Sequence, residues 1–457
     1  MKDFLDKKSD VNYDKITTPW ITKEIIIEIS KAQNEPDWML DYRLEAFKYY
    51  TEKKLTDWGP DLKELDLDSI YYYAKPSWAW DKKSWDDVPE NIKNTFDRLW
   101  IPEAEKKSLA WVGAQYDSEV VYHSIKKELV EKWVIFEDMA IALQKYPEIV
   151  RKYFWKCIPF NDHKFASLHY SVWSWWTFMY VPENVVLNEP LQSYFRMNTE
   201  AWGQFEHTLI IIEQWAKAHY IEWCSAPKFN TNSLHAWWVE IFVWKWAQMR
   251  YSSVENWSTD TYNLNTKRWI VEDDWYLEWV WWQLWSGVTM LYPCSILKWE
   301  NSKADHLSIA IAWKWQNQDT WAKVIHIWKN TSSNILSKSI SKDWWISTYR
   351  WLVDIMPKAI WSINKTDCDW LILDSKSVSN AIPDIKVGNS DSVVAHEAKA
   401  WKIDEKELFY LMSRWISEEE AMAMIVNWFL SPVMKELPLE YASELNVLIS
   451  MEFEWWI

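Results

Sequence analysis

The chain is poor in glycine. Only five glycines occur among 457 residues, whereas an average globular chain has about 7% glycine, or roughly thirty at this length. Tryptophan is in surplus by a similar amount, with 42 residues. Many of these tryptophans stand in polar breaks between apolar runs, as Trp344 and Trp345 do after Lys342 and Asp343. Turns at such places often need a positive φ angle, which glycine tolerates and a bulky indole does not.

The two imbalances together predict an exchange of one residue for the other. A gene that uses UGA as a glycine codon, translated as though UGA meant tryptophan, would place indoles at turns. We expect about thirty-five of these tryptophans to be glycine in the cell, since turn positions are where glycine is needed. The alternative is a protein that is naturally rich in tryptophan, whose aromatic content of 17% would provide stacking surfaces.

Cysteine, positive charge and long apolar runs are scarce as well. The four cysteines lie far apart and form no C-x-x-C pair, which excludes the usual zinc-ribbon and ferredoxin spacings. The net charge of −16 argues against a nucleic-acid partner or an anionic membrane surface. The sequence has no apolar run long enough to cross a membrane and no signal-peptide core, so we expect a cytoplasmic protein.

Motifs of the common enzyme classes are also missing. No phosphate-binding glycine loop emerges, even when tryptophan is replaced by glycine, and no serine nucleophile elbow is found. His396 and Glu397 are followed by Ala398, Lys399 and Ala400, so the H-E-x-x-H zinc signature fails at its second histidine. These absences exclude a recognisable hydrolase, kinase or dehydrogenase; the resemblance described below implies a protein that is not an enzyme.

The chain divides into three regions by pattern. Residues 1–160 are predicted to be mostly helical, with one helical stretch near residues 125–143, and residues 396–457 to be helical again. Residues 161–395 contain short β-type runs with a recurring unit of a turn, tryptophan and alanine, at Trp215, Trp246 and Trp321. Successive units lie roughly 22 to 31 residues apart, which is typical of one rung of a β-solenoid. A β-sandwich is the alternative, and a doubly wound α/β sheet is disfavoured because no helical pattern separates the runs.

The C-terminal region carries two capping-box patterns, of which the second pairs Ser417 with Glu420. Trp415 stands between the two helices at the C′ position, where a left-handed conformation favours glycine. The second helix presents one apolar face that includes Met422, Ile425 and Phe429. That face either packs on the protein's own core or docks a partner.

Few residues offer chemistry on their own. Cys368 lies between Asp367 and Asp369, and an isolated cysteine is more often a small buried hydrophobe than a reactive thiol. The flanking carboxylates would raise the pKa of its thiol. His396 and Glu397 could ligate a metal, although an adjacent pair does not show which metal or which geometry.

Several long segments resemble the SufB-type scaffold proteins of iron–sulfur cluster assembly. They are VGAQYDSEVVYH, IPFNDHKFASLHYSVWS, PLQSYFRMNTEAWGQFEHTLIII, NTSSNILSKSISKD and LFYLMSRWISEEEAMAMIVNWFLSP. The resemblance extends from about residue 35 to the C-terminus and depends on long runs matched in order. It implies a mainly β protein in which a right-handed parallel β-helix core is flanked by helical N- and C-terminal regions. It also implies glycine at positions such as Trp223, Trp415 and Trp428, and genuine tryptophan at five positions: Trp38, Trp85, Trp173, Trp257 and Trp279.

The resemblance also implies partners and cofactors. The family works with a SufC-type ATPase, which the C-terminal helices dock, here through Met422, Ile425 and Phe429. A SufD-type paralogue or a second copy of the chain completes the complex, and a cysteine desulfurase or sulfur carrier supplies sulfur. The cofactors implied are a transient iron–sulfur cluster and, in the complex, reduced flavin.

The resemblance assigns roles to individual residues. Cys368 matches the family's essential cysteine, Glu397 its acidic cluster ligand, and His396 stands beside it. An internal sulfur-transfer route is matched by five residues: Cys224, Arg196, Asn198, Asn256 and Trp257. The chain departs from the family at Glu255, where glutamine is expected, and at Asp367, where a neutral polar residue is common.

Three rival interpretations stay open. A SufD-type paralogue would have the same fold, but it would not be expected to keep Cys368 together with the His396-Glu397 pair. A β-solenoid carbohydrate-active enzyme would need convergent carboxylates, or lysine and arginine, on one solenoid face, and no repeated cluster of that kind occurs. A purely structural solenoid would need only stacked apolar residues.

Overall fold

The computed structural model describes most of the chain between residues 13 and 434. The described ranges are 13–16, 18–56, 58–76, 111–116, 119–125, 127–174, 177–197, 203–226, 232–271, 276–284, 286–314, 316–403 and 405–434.

Two sheets of mostly parallel strands form the centre of the protein. One sheet has the order β20-β18-β16-β14-β12-β10-β8-β6-β5. Its strands are β5 Ile135–Asp138, β6 Thr177–Val181, β8 Gly203–Ile212, β10 Ser233–Val243, β12 Thr261–Val271, β14 Val288–Leu297, β16 Asn317–His326, β18 Ile346–Ile355 and β20 Val378–Val387.

The second sheet has the order β21-β19-β17-β15-β13-β11-β9-β7-β3-β4. Its strands are β3 Trp111–Tyr116, β4 Glu119–Ile125, β7 Leu191–Arg196, β9 Lys217–Ser225, β11 Gln248–Asn256, β13 Tyr276–Leu284, β15 Lys303–Ala312, β17 Ser332–Ser341, β19 Ile363–Ile372 and β21 Val393–Lys402. A short antiparallel pair, β1 Tyr13–Ile16 and β2 Ala74–Pro76, lies outside both sheets.

The chain alternates between these sheets strand by strand, so each pair of strands is one turn of a parallel β-solenoid with about seven turns. Successive side chains of a strand point to opposite faces. One set fills the lumen between the sheets, as Cys224 and Trp281 do in the larger apolar cluster. Their neighbours Trp223 and Trp282 belong to a separate cluster on the outer face. The predicted fold of a β-solenoid core flanked by helices is confirmed.

The N-terminal region is a layer of short helices against one sheet. The helices are α1 Lys23–Ala32, α2 Asp37–Glu52, α3 Lys127–Glu131, α4 Met139–Lys145, α5 Pro147–Tyr153 and α6 Lys164–Val172. The buried carboxylate of Glu240 on β10 holds this layer in place. It accepts hydrogen bonds from the backbone N–H groups of Trp155, Cys157 and Ile158 at 2.5, 2.7 and 3.0 Å. Three donors on one carboxylate fix the segment that follows α5.

The helix predicted near residues 125–143 is wrong in its extent. Helix α3 ends at Glu131, and the chain then forms β5 before α4 begins. Trp133 has φ 61° and is 81% exposed at the end of α3. The N–H of Val134 donates back to the carbonyl of Leu129, a hydrogen bond that closes a helix with a left-handed residue at C′. The apolar residues on both sides masked this stop.

Two features cross the predicted region boundaries. Strands β3, β4 and β5 precede residue 161 and extend the solenoid sheets, while β21 extends past residue 395 to Lys402. The C-terminal helices are α7 Glu405–Met412 and α8 Glu418–Met434. The second capping box is confirmed, since Ser417 N–H donates to Glu420 Oε2 at 3.1 Å and Glu420 N–H to Ser417 Oγ at 3.2 Å.

Eight tryptophans of the described residues have a left-handed backbone conformation. In the described residues, every positive φ outside glycine belongs to asparagine, aspartate or tryptophan, and eight of these positions are tryptophan. Asparagine and aspartate are the non-glycine residues that adopt this conformation with least strain. The eight are Trp20, Trp133, Trp155, Trp215, Trp246, Trp344, Trp361 and Trp415. This pattern supports the hypothesis that glycine belongs at these turns.

Candidate functional site

Cys368 lies in the lumen near the C-terminal end of the solenoid. It is on β19, opposite Ser337 of β17 and Ala398 of β21, and only 1% of its surface is exposed. Burial raises the pKa of its thiol, and Asp369 and then Asp367 raise it further. The thiol is therefore protonated at neutral pH, and a partner group must take its proton before it can act as a nucleophile.

His396 and Glu397 lie on β21, the last strand of its sheet. His396 is opposite Thr366, and its ring lies 6.4 Å from that of the lumen residue Trp351. It therefore shares the lumen side with Cys368. Glu397 is opposite Asp367 and points to the other face of the strand, where Lys399 pairs with it at 2.8 Å.

The structure thus brings Cys368 and His396 to one face and separates Glu397 from them. Within the described ranges, no group of three or more histidine, cysteine, aspartate or glutamate side chains could hold a metal ion. A histidine and a thiol are suitable ligands for iron, but two ligands do not complete a coordination shell. The remaining ligands lie outside the group that these described residues form.

Cys224 lies in the lumen near the opposite end of the solenoid, beside a group of buried charges. Burial raises the pKa of its thiol, and Glu222 is the carboxylate that contributes most after burial. Lys267 lies between two carboxylates, with Nζ 3.2 Å from Glu255 and 3.7 Å from Glu222. Asn263 also donates to Glu255 at 2.5 Å. The resulting cluster is polar, and each of these five residues is buried.

The structure describes some of the other predicted residues of the sulfur-transfer route and not others. Asn256 ends β11, and Trp257 follows it in the core, with its ring 4.2 Å from that of His235. Arg196 is the last residue of β7 and pairs in register with Ser225, next to Cys224, although its side chain lies outside the described part. Asn198 lies outside the described residues.

The chain is clearly similar to known proteins. A family model for the SUF system of FeS cluster assembly, the SufBD core domain, matches residues 195–429. Iron–sulfur cluster assembly SufBD family proteins of Staphylococcus epidermidis and Staphylococcus aureus are each 51% identical to the chain over 434 residues. These matches cover 95% of this chain and 93% of each relative.

The chain belongs to the SufBD family. The SufBD family is a family of iron–sulfur cluster assembly proteins. The match of the core domain includes Cys224, Cys368, His396 and Glu397. None of the helices that the structure describes is both long and apolar enough to cross a membrane.

The C-terminal helices of this SufBD protein place the predicted docking residues against its own solenoid. Phe429 is 6% exposed and packs in the outer apolar cluster, with Lys338 Nζ 4.2 Å from its ring centre. Met422 packs against the same cluster, and Ile425 is half-buried. Phe429 therefore offers no free surface. Among the described residues of α7, α8 and the turn between them, the exposed apolar side chains are Phe409, Tyr410, Met412, Trp415, Met424 and Trp428.

Glu222 and Lys267 are buried residues of the lumen that the sequence analysis did not single out. Their signal was present, because Glu222 and Cys224 are two residues apart in a strand and must share a face. Lys267 comes two residues after Asn265, which donates to Glu255 at 3.0 Å. Recognising the lysine required knowing that β11 and β12 face each other across the lumen.

Proposed function

We propose that the chain is the SufB-type scaffold subunit of a SUF complex, on which sulfur and iron are assembled into a nascent cluster. The observation that supports this most is Cys368 in the lumen with His396 on the same face, one strand from the end of the sheet. A SufD-type paralogue would keep the fold and would not need this pair. The protein itself is not an enzyme in this proposal, and ATP hydrolysis belongs to a partner subunit.

The chemistry assigned to Cys368 is acceptance of sulfane sulfur. Its thiolate attacks the outer sulfur of a donor persulfide, a new sulfur–sulfur bond forms on Cys368, and the donor leaves as a thiolate. The donor would be a cysteine desulfurase or a sulfur carrier that it loads. Because burial raises the pKa of the Cys368 thiol, its proton must move to a neighbouring base, and the imidazole of His396 lies on the same face of the sheet.

The incomplete ligand set supports a second subunit at the C-terminal end of the solenoid. Strands β20 and β21 each pair on one side only within the described chain. They expose the apolar side chains of Val378, Ile382, Val387 and Val393. A SufD-type paralogue or a second copy of this chain, bound there, would cover these residues and supply the missing ligands.

The SufC-type ATPase is assigned to the C-terminal helices. The exposed side chains of Phe409, Tyr410 and Met424 form the docking surface in this proposal, in place of Phe429. We place the assembly in the cytoplasm, where a reducing environment keeps thiols free, and the four cysteines of this chain are unpaired.

The test compares two buried cysteines. Cys368→Ala should abolish cluster accumulation when the complex is reconstituted anaerobically with the ATPase, iron and a sulfur donor. Cys294→Ala is the matched control, because it removes a buried thiol outside the site. Iron and acid-labile sulfide are measured per complex, and subunit binding is checked separately. Unchanged cluster content in Cys368→Ala would overturn the assignment.

A further inference from the structure

A cavity of about 290 Å³ lies between the N-terminal helical layer and the outer face of the solenoid. Its floor includes Thr266 of β12 and Lys323 of β16. Its roof comes from two segments of the N-terminal layer, one after α2 that contains Thr56 and one before α6 that contains Asp162. Thr266 is next to the lumen residue Lys267 on its strand and therefore points away from the lumen. The cavity is thus separate from the candidate cluster site.

Two cations and one carboxylate line this cavity. Arg268 Nη2 lies 2.9 Å from Asp162 Oδ2, so these two charges offset each other. Lys323 is half-buried and forms no ion pair or hydrogen bond with any residue that the structure describes; its Nζ lies 3.8 Å from the ring centre of Trp321 and 5.7 Å from that of Tyr292. Burial lowers the pKa of Lys323, because its charge is costly there without an anion beside it. The cavity therefore has one positive charge more than its carboxylate offsets.

Two further hydrogen-bond donors of the cavity are buried and unpaired. Thr56 Oγ1 and Arg268 Nε form no hydrogen bond within the described part of the chain. The other two guanidinium nitrogens of Arg268 are occupied, since Nη1 donates to the carbonyl of Cys157 at 3.2 Å and Nη2 donates to Asp162. Buried donors normally have a partner, and leaving them unpaired is costly. Together with the ammonium group of Lys323, they indicate that the cavity holds an acceptor.

His163 leaves the hydroxyl group of Thr266 free to donate as well. Its Nδ1 accepts the backbone N–H of Ala166 at 3.3 Å, and burial lowers its pKa to about 4, so the neutral ring carries its proton on Nε2. This Nε2 lies 3.1 Å from Thr266 Oγ1 and donates to it. The hydroxyl hydrogen of Thr266 is therefore available to a molecule in the cavity.

Apolar side chains form much of the remaining lining, among them Phe165, Leu264 and Met290. Pockets for small molecules are typically about 300–1,000 Å³ in volume and mostly apolar, with a few polar groups that fix orientation. The cavity is at the small end of this range, which suits a molecule with one ring or a short chain. Glycine in place of the lining residues Trp58 and Trp238 would enlarge the cavity and leave its donors unchanged.

We infer that this cavity binds a small phosphate monoester, whose organic part lies against the apolar lining. The phosphate group is held by the ammonium of Lys323, the free Nε of Arg268 and the two threonine hydroxyl groups. A planar carboxylate is bound best by two parallel N–H groups of one arginine, and the terminal nitrogens of Arg268 are occupied. Separate point donors suit the three terminal oxygens of a phosphate instead. The inference is independent of the proposed role in cluster assembly.

Isothermal titration calorimetry of the full chain tests this site, with phenyl phosphate as the probe. One molecule should bind per chain, more tightly than inorganic phosphate, which lacks the organic part, and more tightly than benzoate, which has a carboxylate in place of the phosphate. Absence of saturable binding would mean that the cavity holds only water and would overturn the inference. Equal affinity for benzoate or for inorganic phosphate would also overturn it, because the ligand would then not be recognised as a phosphate ester.

Two variants remove single donors with little change in volume. Lys323→Met should weaken the binding of phenyl phosphate by about 10- to 100-fold, since it removes a charge-assisted hydrogen bond. Thr56→Val should weaken it by about three- to tenfold, since it removes a neutral one. Lys358→Met is the matched control for the loss of one charge, because Lys358 is exposed in the turn after β18. Equal affinity in all three variants would refute the site.

Thermal denaturation separates ligand binding from a structural role. Thr56 Oγ1 is unpaired within the described residues, so Thr56→Val should not lower the Tm of the free chain. Phenyl phosphate should raise the Tm of the unsubstituted chain and should raise that of Thr56→Val less at the same concentration. Thr56→Val therefore decides the matter even if Lys323→Met fails to fold. A lower Tm of free Thr56→Val with an unchanged response to phenyl phosphate would show a structural role and contradict the inference.

Discussion

Replacing the exposed tryptophans that have a positive φ by glycine should stabilise the chain. Six of the eight are exposed, so their removal sacrifices little packing except at Trp215, whose ring is stacked on that of Trp246. They are Trp20, Trp133, Trp215, Trp344, Trp361 and Trp415. Trp415 is the clearest case, with φ 67° and an exposure of 100% at the junction between α7 and α8.

The size of the effect follows from two opposing terms. A left-handed conformation costs an L-residue about 1–2 kcal/mol, which glycine avoids. Glycine in turn loses about 0.4–1 kcal/mol through the greater freedom of the unfolded chain. The net gain is about 1 kcal/mol per site, or about 6 kcal/mol over six independent sites. Whole domains are stable by only about 5–15 kcal/mol, so the change is large.

Urea denaturation of single variants and of the combined variant measures this gain. The midpoint should rise with an unchanged slope at each site. Trp299→Gly and Trp328→Gly are the controls, because both residues are exposed and neither has a positive φ. The controls should lose about 0.4–1 kcal/mol each. If the two groups shift in the same direction, backbone strain is not what distinguishes them and the reasoning fails.

Two further predictions concern the proposed site and its partner. Because burial and Asp369 raise the pKa of Cys368, its alkylation by iodoacetamide should increase with pH well above neutrality, and Asp369→Asn should move the increase to lower pH; an unchanged profile contradicts this. Phe409→Asp should weaken ATPase binding by about tenfold without loss of stability. Phe429→Asp should instead lower the free energy of unfolding by about 3 kcal/mol or more, as expected for a buried phenylalanine. If Phe409→Asp binds the ATPase as tightly as the unsubstituted chain, the proposed docking surface is refuted.

The sequence was sufficient to predict the solenoid, because its signal repeats. Each turn contributes two alternating runs, and Trp215 and Trp246 mark the same corner in consecutive turns. Their rings are stacked 4.1 Å apart, and both residues have a positive φ. The prediction is wrong for the third unit, since Trp321 lies inside β16 and not at a corner. The remaining repeats still predict the solenoid when one unit is wrong, whereas a single helix, such as that predicted near residues 125–143, has no second copy that could correct it.

The candidate site was predictable only in part. The resemblance grouped Cys368, His396 and Glu397, whereas the register of β19 and β21, which the sequence does not indicate, places only Cys368 and His396 on one face. The face of Phe429 was not predictable, because an apolar helix face is the same whether a solenoid or a partner covers it. The ion pair of Lys267 with Glu255 was not predictable either, because it joins strands of the two opposite sheets.

Tryptophans at strained turns and tryptophans in the lumen bear on the hypothesis of a glycine codon read as tryptophan through different properties. At a corner such as Trp344, the backbone demands glycine and the side chain is free to leave. At Trp281, the backbone is ordinary, and the buried indole N–H has no hydrogen bond to a described residue. A protein naturally rich in tryptophan would have no reason to place indoles at both kinds of position. Misreading of one codon would do so, because it follows the positions of glycine wherever glycine was needed, for its φ angle or for its small size.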